Sequence, residues 1–217
     1  MLATALAHWP FDEGTGTLAA DATGHNHSLT LMNGVVWRDG MFGKAIEADG
    51  VAAYLVSPMF DFTQATGITL SFWMVHDYGS GAAFDVALEL SDNFNLNSGG
   101  FGIFPDDTDD CTGQLLLSLN GDVGHSSSCF PQPSSFLYHH FVAVFDKAQP
   151  GATETRLYID GVEQPSTVVF AMDNTNTFGA FQLFLFARGG MSSFSAGVMD
   201  ELILFDRALT PAEIAAL

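Results

Sequence analysis

The chain has 217 residues, of which 47% are hydrophobic and 12% aromatic, including 20 phenylalanines. This composition can build a sizeable core and excludes an intrinsically disordered chain. Six basic residues against 25 acidic ones give a formal net charge of −19. The chain therefore lacks the basic surface that nucleic acid or an anionic membrane requires, and its field attracts cations.

The first seven residues contain no basic residue and no long apolar run, so they do not predict a signal peptide. Apolar runs elsewhere stop far short of the ~20 residues that a membrane-spanning helix needs. No linker, repeat or low-complexity tract interrupts the chain. We therefore expect one soluble domain over residues 1–217 without membrane insertion.

Short segments rich in Val, Ile, Phe, Tyr and Thr recur along the chain, separated by clusters of Gly, Asn, Asp and Ser. This pattern is typical of β-strands joined by turns. About thirteen strands are predicted, near Leu6–Phe11, Leu29–Met32, Ala45–Ala48, Ala53–Val56, Gly67–His76, Ala83–Leu90, Gly100–Phe104, Gln114–Leu119, His139–Phe145, Glu154–Ile159, Thr167–Phe170, Ala180–Phe186 and Ala196–Asp206.

Several of these strands are apolar on both faces. In Ile68–Val75 the even-numbered residues form one apolar side, while Trp73 and Val75 lie on the other. Such strands belong in the middle of a thick sandwich or on a face partly covered by loops. At the C-terminus, Thr210–Glu213 has the pattern of a capping box and predicts a short helix to Ala216. The expected fold is all-β, an antiparallel two-sheet jelly-roll sandwich with one short C-terminal helix.

Cys111 and Cys129 are the only two cysteines, 18 positions apart. Their spacing does not fit a zinc site, which needs two close pairs. A disulfide between them would contribute ~3 kcal/mol and would indicate an oxidising compartment. The alternative is a pair of free buried thiols.

Three groups of segments carry a resemblance to a known family. They are Ala7–Gly16 with Ala20–Gly24 and Leu29–Leu31; Val36–Ala45 with Asp49-Gly50; and Tyr138–Val144 with Leu157–Gly161 and Val198–Leu209. In this order they resemble the laminin-G-like jelly rolls of the concanavalin A-like lectin/glucanase superfamily, over Leu6 to Leu217. The resemblance implies an extracellular domain, often calcium-bound, that binds glycans or proteins. The superfamily also contains glycoside hydrolases and polysaccharide lyases, so the fold does not settle the function.

Asp200 lies in a strand that is otherwise almost entirely apolar. A carboxylate buried there needs an ionic partner or a metal. The resemblance places such an aspartate close to the loop that holds Asp21. Calcium takes 6–8 oxygen ligands, and the predicted shell comprises Asp12, Asp21, Asn26 and Asp200.

One departure weakens this set, because Gly24-His-Asn-His27 replaces the family's Gly-Asn-Gly-Asn and histidine is a poor calcium ligand. The alternative is that Asp21 caps a turn and Asp200 pairs with Arg207 or Arg188.

The segment 106–110 contains four carboxylates, from Asp106, Asp107, Asp109 and Asp110. A solvated loop is the ordinary interpretation of such a run, and a second calcium ion that bridges to a ligand is the alternative.

Aromatic residues beside loops suit stacking on sugar rings, and we predict this role for Tyr78 and Phe104. The three tryptophans, Trp9, Trp37 and Trp73, are predicted to pack in the core, and His139 and His140 are predicted to be structural.

A glycosidase of this superfamily needs Glu-x-Asp-x-x-Glu on one strand, and no glutamate of this chain begins that pattern. The basic residues that a polysaccharide lyase uses are scarce, and no nucleophile elbow, P-loop or dinucleotide fingerprint is present. We therefore predict no catalytic residues.

The predicted function is a calcium-dependent carbohydrate-binding module of a secreted or cell-surface protein. Its predicted ligand is a neutral or weakly polar glycan, because the charge of −19 disfavours acidic polysaccharides unless calcium bridges them. A structural or protein-binding domain of a large adhesin is the second hypothesis, and a divergent lyase or hydrolase is the third.

Overall fold

The structure is a computed structural model that describes residues 4–76, 85–91, 93, 98–107, 110–121, 124–133, 137–173 and 177–217, without the side chains of 106 and 107. These residues form seventeen strands and one α-helix. They are β1 Ala7–Trp9, β2 Leu18–Ala19, β3 Leu29–Met32, β4 Val36–Asp39, β5 Lys44–Asp49, β6 Tyr54–Asp61, β7 Gly67–His76, β8 Leu88–Leu90, β9 Phe101–Asp107, β10 Gln114–Asn120, β11 His125–Phe130, β12 His139–Asp146, β13 Thr155–Ile159, β14 Val162–Glu163, β15 Thr167–Ala171, β16 Ala180–Leu185, β17 Ala196–Phe205 and α1 Pro211–Ile214.

Two sheets form the sandwich, and their strand pairs are antiparallel. The first sheet has the order β14-β13-β12-β7-β17-β5-β4, with β1 beside β17. The second has the order β15-β11-β10-β9-β8-β16-β6-β3-β2. This architecture confirms the expected all-β jelly-roll sandwich.

The core lies between the sheets and is built by alternation along the strands. In β7, the side chains of Ile68, Leu70, Phe72 and Met74 are buried in the core, as the sequence pattern predicts. Trp73 is only partly buried and points to the opposite face. The prediction that Trp73 packs in the core is therefore wrong, because the pleat turns it away from Phe72.

The other two tryptophans do belong to the interior. Trp9 is fully buried in the core cluster, and Trp37 is partly buried and packs against that cluster. Their indole nitrogens are also occupied, since Trp9 Nε1 donates to the His27 carbonyl at 2.8 Å and Trp37 Nε1 donates to the Gly16 carbonyl at 3.0 Å.

Four strands, β2, β4, β11 and β14, were not expected from the sequence. The clearest case is β11, His-Ser-Ser-Ser-Cys-Phe, which lies between β10 and β15. Its serines are buried although they are polar. Its sequence therefore lacks the apolar pattern that predicts a strand. The strand forms because both neighbouring strands supply its backbone hydrogen bonds.

The C-terminal helix has the predicted capping box. Thr210 Oγ1 accepts from the backbone N–H of Glu213 at 3.3 Å, and Glu213 Oε2 accepts from the backbone N–H of Thr210 at 2.9 Å. Ile214 and Leu209 then pack on the first sheet, on the side away from the core, against Val142 and other apolar residues. Among the described residues, no helix is long and apolar enough to span a membrane.

Cys111 and Cys129 form a disulfide with their Cα atoms 5.5 Å apart, which confirms the predicted pairing. The two cysteines belong to a small cluster with Val86, Phe104 and Leu116. This cluster is separate from the main core and seals part of the outward side of the second sheet.

Candidate functional site

Asp21, the first carboxylate of the predicted calcium shell, is hydrogen-bonded to its own loop and to strand β1. Its Oδ1 accepts from the backbone N–H groups of His8 and Thr23 and from the Thr23 hydroxyl, and its Oδ2 accepts from the backbone N–H of His27. Burial alone would raise the pKa of Asp21, but these hydrogen bonds outweigh it and lower the pKa below 3.8. This is the turn-capping role that the sequence left open.

Asp12 and Asn26 are both exposed, and no common hydrogen-bond partner brings them together among the described residues. Asp12 Oδ1 accepts from the backbone N–H of Lys44 at 2.8 Å. Asn26 has a left-handed backbone with φ of 66° in the loop that Asp21 organises.

Asp200 is buried on β17 beneath the turn between β4 and β5. Its Oδ2 accepts from the backbone N–H of Phe42 at 2.8 Å, whereas its Oδ1 is buried without a hydrogen-bond partner in the described part of the chain. Burial is the main reason why its pKa is raised to about 6. The turn can approach this closely because residue 40 is glycine: a Cβ there would lie 2.6 Å from Asp200 Oδ2.

The alternative ion pair of Asp200 with Arg207 or Arg188 is not formed, since Arg207 pairs with Glu213 and Arg188 pairs with Glu89. Within the described residues, no three His, Cys, Asp or Glu side chains are grouped to hold a metal ion. The three predicted aspartates instead hold backbone segments of two loops. Calcium binding stays a prediction.

The predicted ligand loop is only partly described. Asp106 and Asp107 contribute backbone to β9, Asp110 is exposed beside Cys111, and Asp109 and Tyr78 lie outside the described residues. Phe104 is 1% exposed.

Phe104 does not provide the exposed stacking surface that was expected. It packs with the disulfide in the small cluster, and the guanidinium of Arg188 lies 5.6 Å from its ring. The sequence predicts the disulfide, but it does not show that the disulfide packs against Phe104.

A groove of about 440 Å³ lies on the outer face of the first sheet, the face that points away from the core. Alternation on β7 places Ser71 and Trp73 on this face, the neighbouring strand β12 adds His140, and the turn before β5 adds Phe42. We call it the Trp73 groove, and its lining is Phe42, Ser71, Trp73, His140, Glu201 and Ile203, with Ala216 and Leu217 beside the helix.

Aromatic rings form the floor and one wall of the Trp73 groove. The imidazole of His140 stacks on the indole of Trp73, with ring centroids 5.1 Å apart and planes at 26°. Phe42 meets the same indole edge-on at 5.7 Å and 81°, and it remains 50% exposed. His140 Nε2 lies 2.8 Å from Ser71 Oγ, and burial lowers the pKa of His140. The groove therefore combines a stacking surface with neutral hydrogen-bonding groups.

Glu201 is turned toward this groove by a β-bulge in β17. The register with β7 shifts between Asp200 and Ile203, and Glu201 has φ of 51°. A left-handed backbone is uncommon for a non-glycine residue, and bulges often re-aim a side chain next to a binding site. His8 Nε2 lies 2.7 Å from Glu201 Oε2, and the Glu201 side chain is 26% exposed.

Sequence reasoning missed Glu201 because it treated the residue only as a possible start of a catalytic motif. The sequence did contain a clue, because Glu201 directly follows Asp200 in an otherwise apolar strand. Neighbouring residues of a regular strand point to opposite faces, so two adjacent charged side chains can share the outer face only where a bulge interrupts the strand.

A second hollow of about 310 Å³ lies on the same face of the first sheet. Val75 of β7 and Val198 of β17 line it, together with Arg38, Asp39 and Tyr138. Trp73 and Val75 are consecutive outward residues of one strand, so the two hollows are roughly 7 Å apart along β7.

Comparison with known proteins agrees with this fold. The family model for the concanavalin A-like lectin/glucanases superfamily matches residues 49–215. No protein of curated function matches the sequence significantly.

Three solved structures illustrate the likeness. The binding domain of Paraclostridial Mosquitocidal Protein 1 has a TM-score of 0.72 at 16% identity, covering 100% of this chain and 52% of that one. The botulinum neurotoxin serotype D binding domain has a TM-score of 0.73 at 10% identity, covering 100% and 50%. The serotype D ligand binding domain in complex with N-acetylneuraminic acid has a TM-score of 0.72 at 9% identity, covering 100% and 50%. The chain thus spans about half the length of these structures, which share its fold. By its family match, the chain belongs to the concanavalin A-like lectin/glucanase superfamily.

Proposed function

We propose that this domain is a carbohydrate-binding module and that the Trp73 groove is its sugar-binding site. The observation that carries the proposal is the partly exposed indole of Trp73, flanked by Phe42 and His140 on an outer sheet face. An indole offers a wide apolar surface for the C–H face of a sugar ring.

The polar groups of the groove suit the hydroxyls at the edge of such a ring. The Glu201 carboxylate accepts hydrogen bonds, and the imidazole of His140 is held in place by the buried hydroxyl of Ser71. The volume of about 440 Å³ is within the usual range for a small-ligand site. The second hollow beyond Trp73 supports a ligand of more than one ring.

Binding without catalysis is the function that the groove favours. Among the described lining residues, Glu201 is the one carboxylate, whereas glycoside hydrolysis uses two on opposite sides of the scissile bond. The crystallised serotype D neurotoxin domain with N-acetylneuraminic acid shows that a protein of this fold is found with a sugar. We propose a non-acidic glycan here, since the chain carries a charge of −19.

The carbohydrate proposal is tested by a glycan array with three proteins: the unmodified chain, Trp73→Ala and Phe170→Ala. Phe170 is the matched control, because it is 40% exposed on β15 of the other sheet. We expect the array signal to disappear in Trp73→Ala and to persist in Phe170→Ala. A signal that survives Trp73→Ala unchanged would overturn the assignment of the groove.

We also propose that calcium stabilises the domain and that the domain belongs to a secreted or cell-surface protein. The buried, unpartnered Oδ1 of Asp200 and the charge of −19 support a cation site, and the disulfide supports an oxidising compartment.

The test of calcium is the melting temperature in calcium, in magnesium and in a chelator. We expect a calcium-specific increase that is lost in Asp200→Asn and kept in Asp61→Asn, a control on an exposed part of β6. No increase in the unmodified chain would contradict calcium binding and would leave the groove proposal standing, since that proposal needs no ion.

A further inference from the structure

The charge at the Trp73 groove is mainly negative, which narrows the class of sugar that the groove can bind. Of the described residues that line it, Glu201 carries a negative charge and none is lysine or arginine, while His8 beside Glu201 adds a positive charge when it is protonated. The chain as a whole has a net charge of −19. The site therefore attracts a positive group and repels a negative one.

The aromatic rings reinforce this preference. A cation is attracted to the face of an aromatic ring, and tryptophan is the strongest partner of this kind. Phe42 and Trp73 are in edge-to-face contact, with ring planes at 81° and centroids 5.7 Å apart, and Phe42 remains 50% exposed. A positive group over the exposed part of these rings lies on the same side of the sheet as Glu201.

Glu201 is held in place for such a contact. The bulge fixes its backbone in a left-handed conformation, and His8 binds one oxygen, Oε2, at 2.7 Å. The carboxylate remains partly exposed at the groove. A non-glycine residue in this conformation costs free energy, which the fold tolerates where the side chain has a use. Oε1 is thus oriented to accept a charge-assisted hydrogen bond.

We propose that the Trp73 groove recognises an amino sugar, a pyranose ring with a protonated amine, and that Glu201 binds the ammonium group. The ring stacks on Trp73, the ammonium group donates to Glu201, and the remaining hydroxyls face His140, which the buried Ser71 holds from below. This inference rests on the proposed carbohydrate-binding function and adds a specific chemical group to it. A groove that binds a sugar carboxylate would instead need a positively charged partner for it.

The test uses three series of β-1,4-linked oligosaccharides that differ at one position of each ring. Glucosamine oligomers carry an amine there, N-acetylglucosamine oligomers carry a neutral amide, and glucose oligomers carry a hydroxyl. Affinities are measured by calorimetry in a buffer acidic enough to protonate the amine. We expect the glucosamine series to bind about tenfold or more tightly than the other two, because a charge-assisted hydrogen bond replaces a neutral one.

Two variants of Glu201 keep the test independent of folding. Glu201→Gln keeps the shape of the side chain, and Glu201→Gly suits the left-handed backbone. In both we expect the three series to bind with similar affinity, at unchanged far-ultraviolet circular dichroism.

The matched control is Glu163→Gln, which removes the same charge from the opposite part of the first sheet. Glu163 lies on β14, four strands from β17, a distance of roughly 19 Å at the usual strand spacing. That exceeds the Debye length of about 8 Å at physiological salt. Preference for the amine must therefore persist in Glu163→Gln if it arises in the groove and not from the overall charge.

The outcomes separate the two proposals. A preference for glucosamine that disappears in both Glu201 variants and persists in Glu163→Gln supports the inference. Equal binding of all three series, or a preference that survives the loss of Glu201, overturns the amino-sugar inference and leaves the carbohydrate proposal intact. If only the neutral series bind, the inference is likewise overturned. If no series binds, the result counts against the carbohydrate proposal itself, and the inference is overturned with it.

Discussion

The two sheets differ in how far the aromatic residues on their outer faces are exposed to solvent. On the first sheet, Phe42 is 50% exposed and Trp73 forms the floor of an open groove. On the second sheet, Phe104 also points away from the main core, yet it is 1% exposed and packs with Cys111 and Cys129. An outward aromatic residue thus stays exposed only where no other segment is anchored over it.

The difference arises from what covers each face. The disulfide holds the segment around Cys111 against the second sheet. On the first sheet the covering element is the C-terminal helix, which packs through Leu209 and Ile214 on one part of the face only. The Trp73 groove is the uncovered part between this helix and the turn that carries Phe42.

The largest effect that this comparison predicts is on stability, from Phe104→Ala. Removing a buried phenylalanine ring leaves a cavity and costs about 3–5 kcal/mol of unfolding free energy. Phe170→Ala on the same sheet should cost much less, since Phe170 is 40% exposed. Chemical denaturation of the two variants measures this, and equal losses would mean that Phe104 is not sealed under the disulfide cluster.

Removal of the disulfide should have the next largest effect. Replacing Cys111 and Cys129 together by alanine should lower the unfolding free energy by about 3 kcal/mol, because the unfolded chain regains the freedom of the closed loop. Ligand affinity of the folded protein should be unchanged, since the disulfide lies on the other sheet. A parallel loss of affinity would contradict the separation of the two faces.

Phe42→Ala should lower ligand affinity and leave stability almost unchanged, the reverse of what we expect on removal of the disulfide. The exposed ring contributes little to stability, but it forms one wall of the groove beside Trp73. We expect affinity for the groove ligand to fall about fivefold to tenfold, which is the usual contribution of one aromatic contact. Titration calorimetry and a denaturation curve on the same sample distinguish this result from a folding defect.

The smallest effect concerns the pH dependence of the C-terminal helix. The side chain of Arg207 and the N–H and hydroxyl of Thr210 lower the pKa of Glu213 to about 2. A folded pKa below the ordinary value of 4.5 means that the stabilisation is present above pH 4.5 and is lost as pH falls from 4.5 toward 2.

Glu213→Gln should therefore lower the melting temperature slightly at pH 7, and the difference from the unmodified chain should shrink below pH 4.5. Because the side chains of Arg207 and Glu213 are both partly exposed, the shift should be small. A difference that grows as the pH falls would contradict the assigned ion pair with Arg207.

The sequence predicts the strands and their core faces well, because alternation along β7 and the capping box of Thr210 and Glu213 are local patterns. It predicts the groove poorly. Trp73 was expected in the core because an aromatic residue in an apolar strand does not show which face is covered.

Glu201 was missed for a related reason. Its orientation depends on a bulge that forms between β17 and β7, and such register shifts arise from pairing of distant segments. The sequence predicts that Asp200 is buried, which the structure confirms. It does not predict the backbone partners of Asp21 and Asp200, because His8 and Phe42 come from other parts of the chain.

The most direct test of the account is an NMR titration that follows the indole N–H signals of the three tryptophans. Glucosamine oligomers are the first ligand, and the neutral β-1,4 oligomers follow. Trp9 and Trp37 are internal controls, since their indoles donate to backbone carbonyls of His27 and Gly16. We predict that the Trp73 signal, assigned with Trp73→Phe, shifts on ligand addition while the other two stay in place. Binding that moves the Trp9 or Trp37 signal and leaves Trp73 unchanged would contradict the groove as the site.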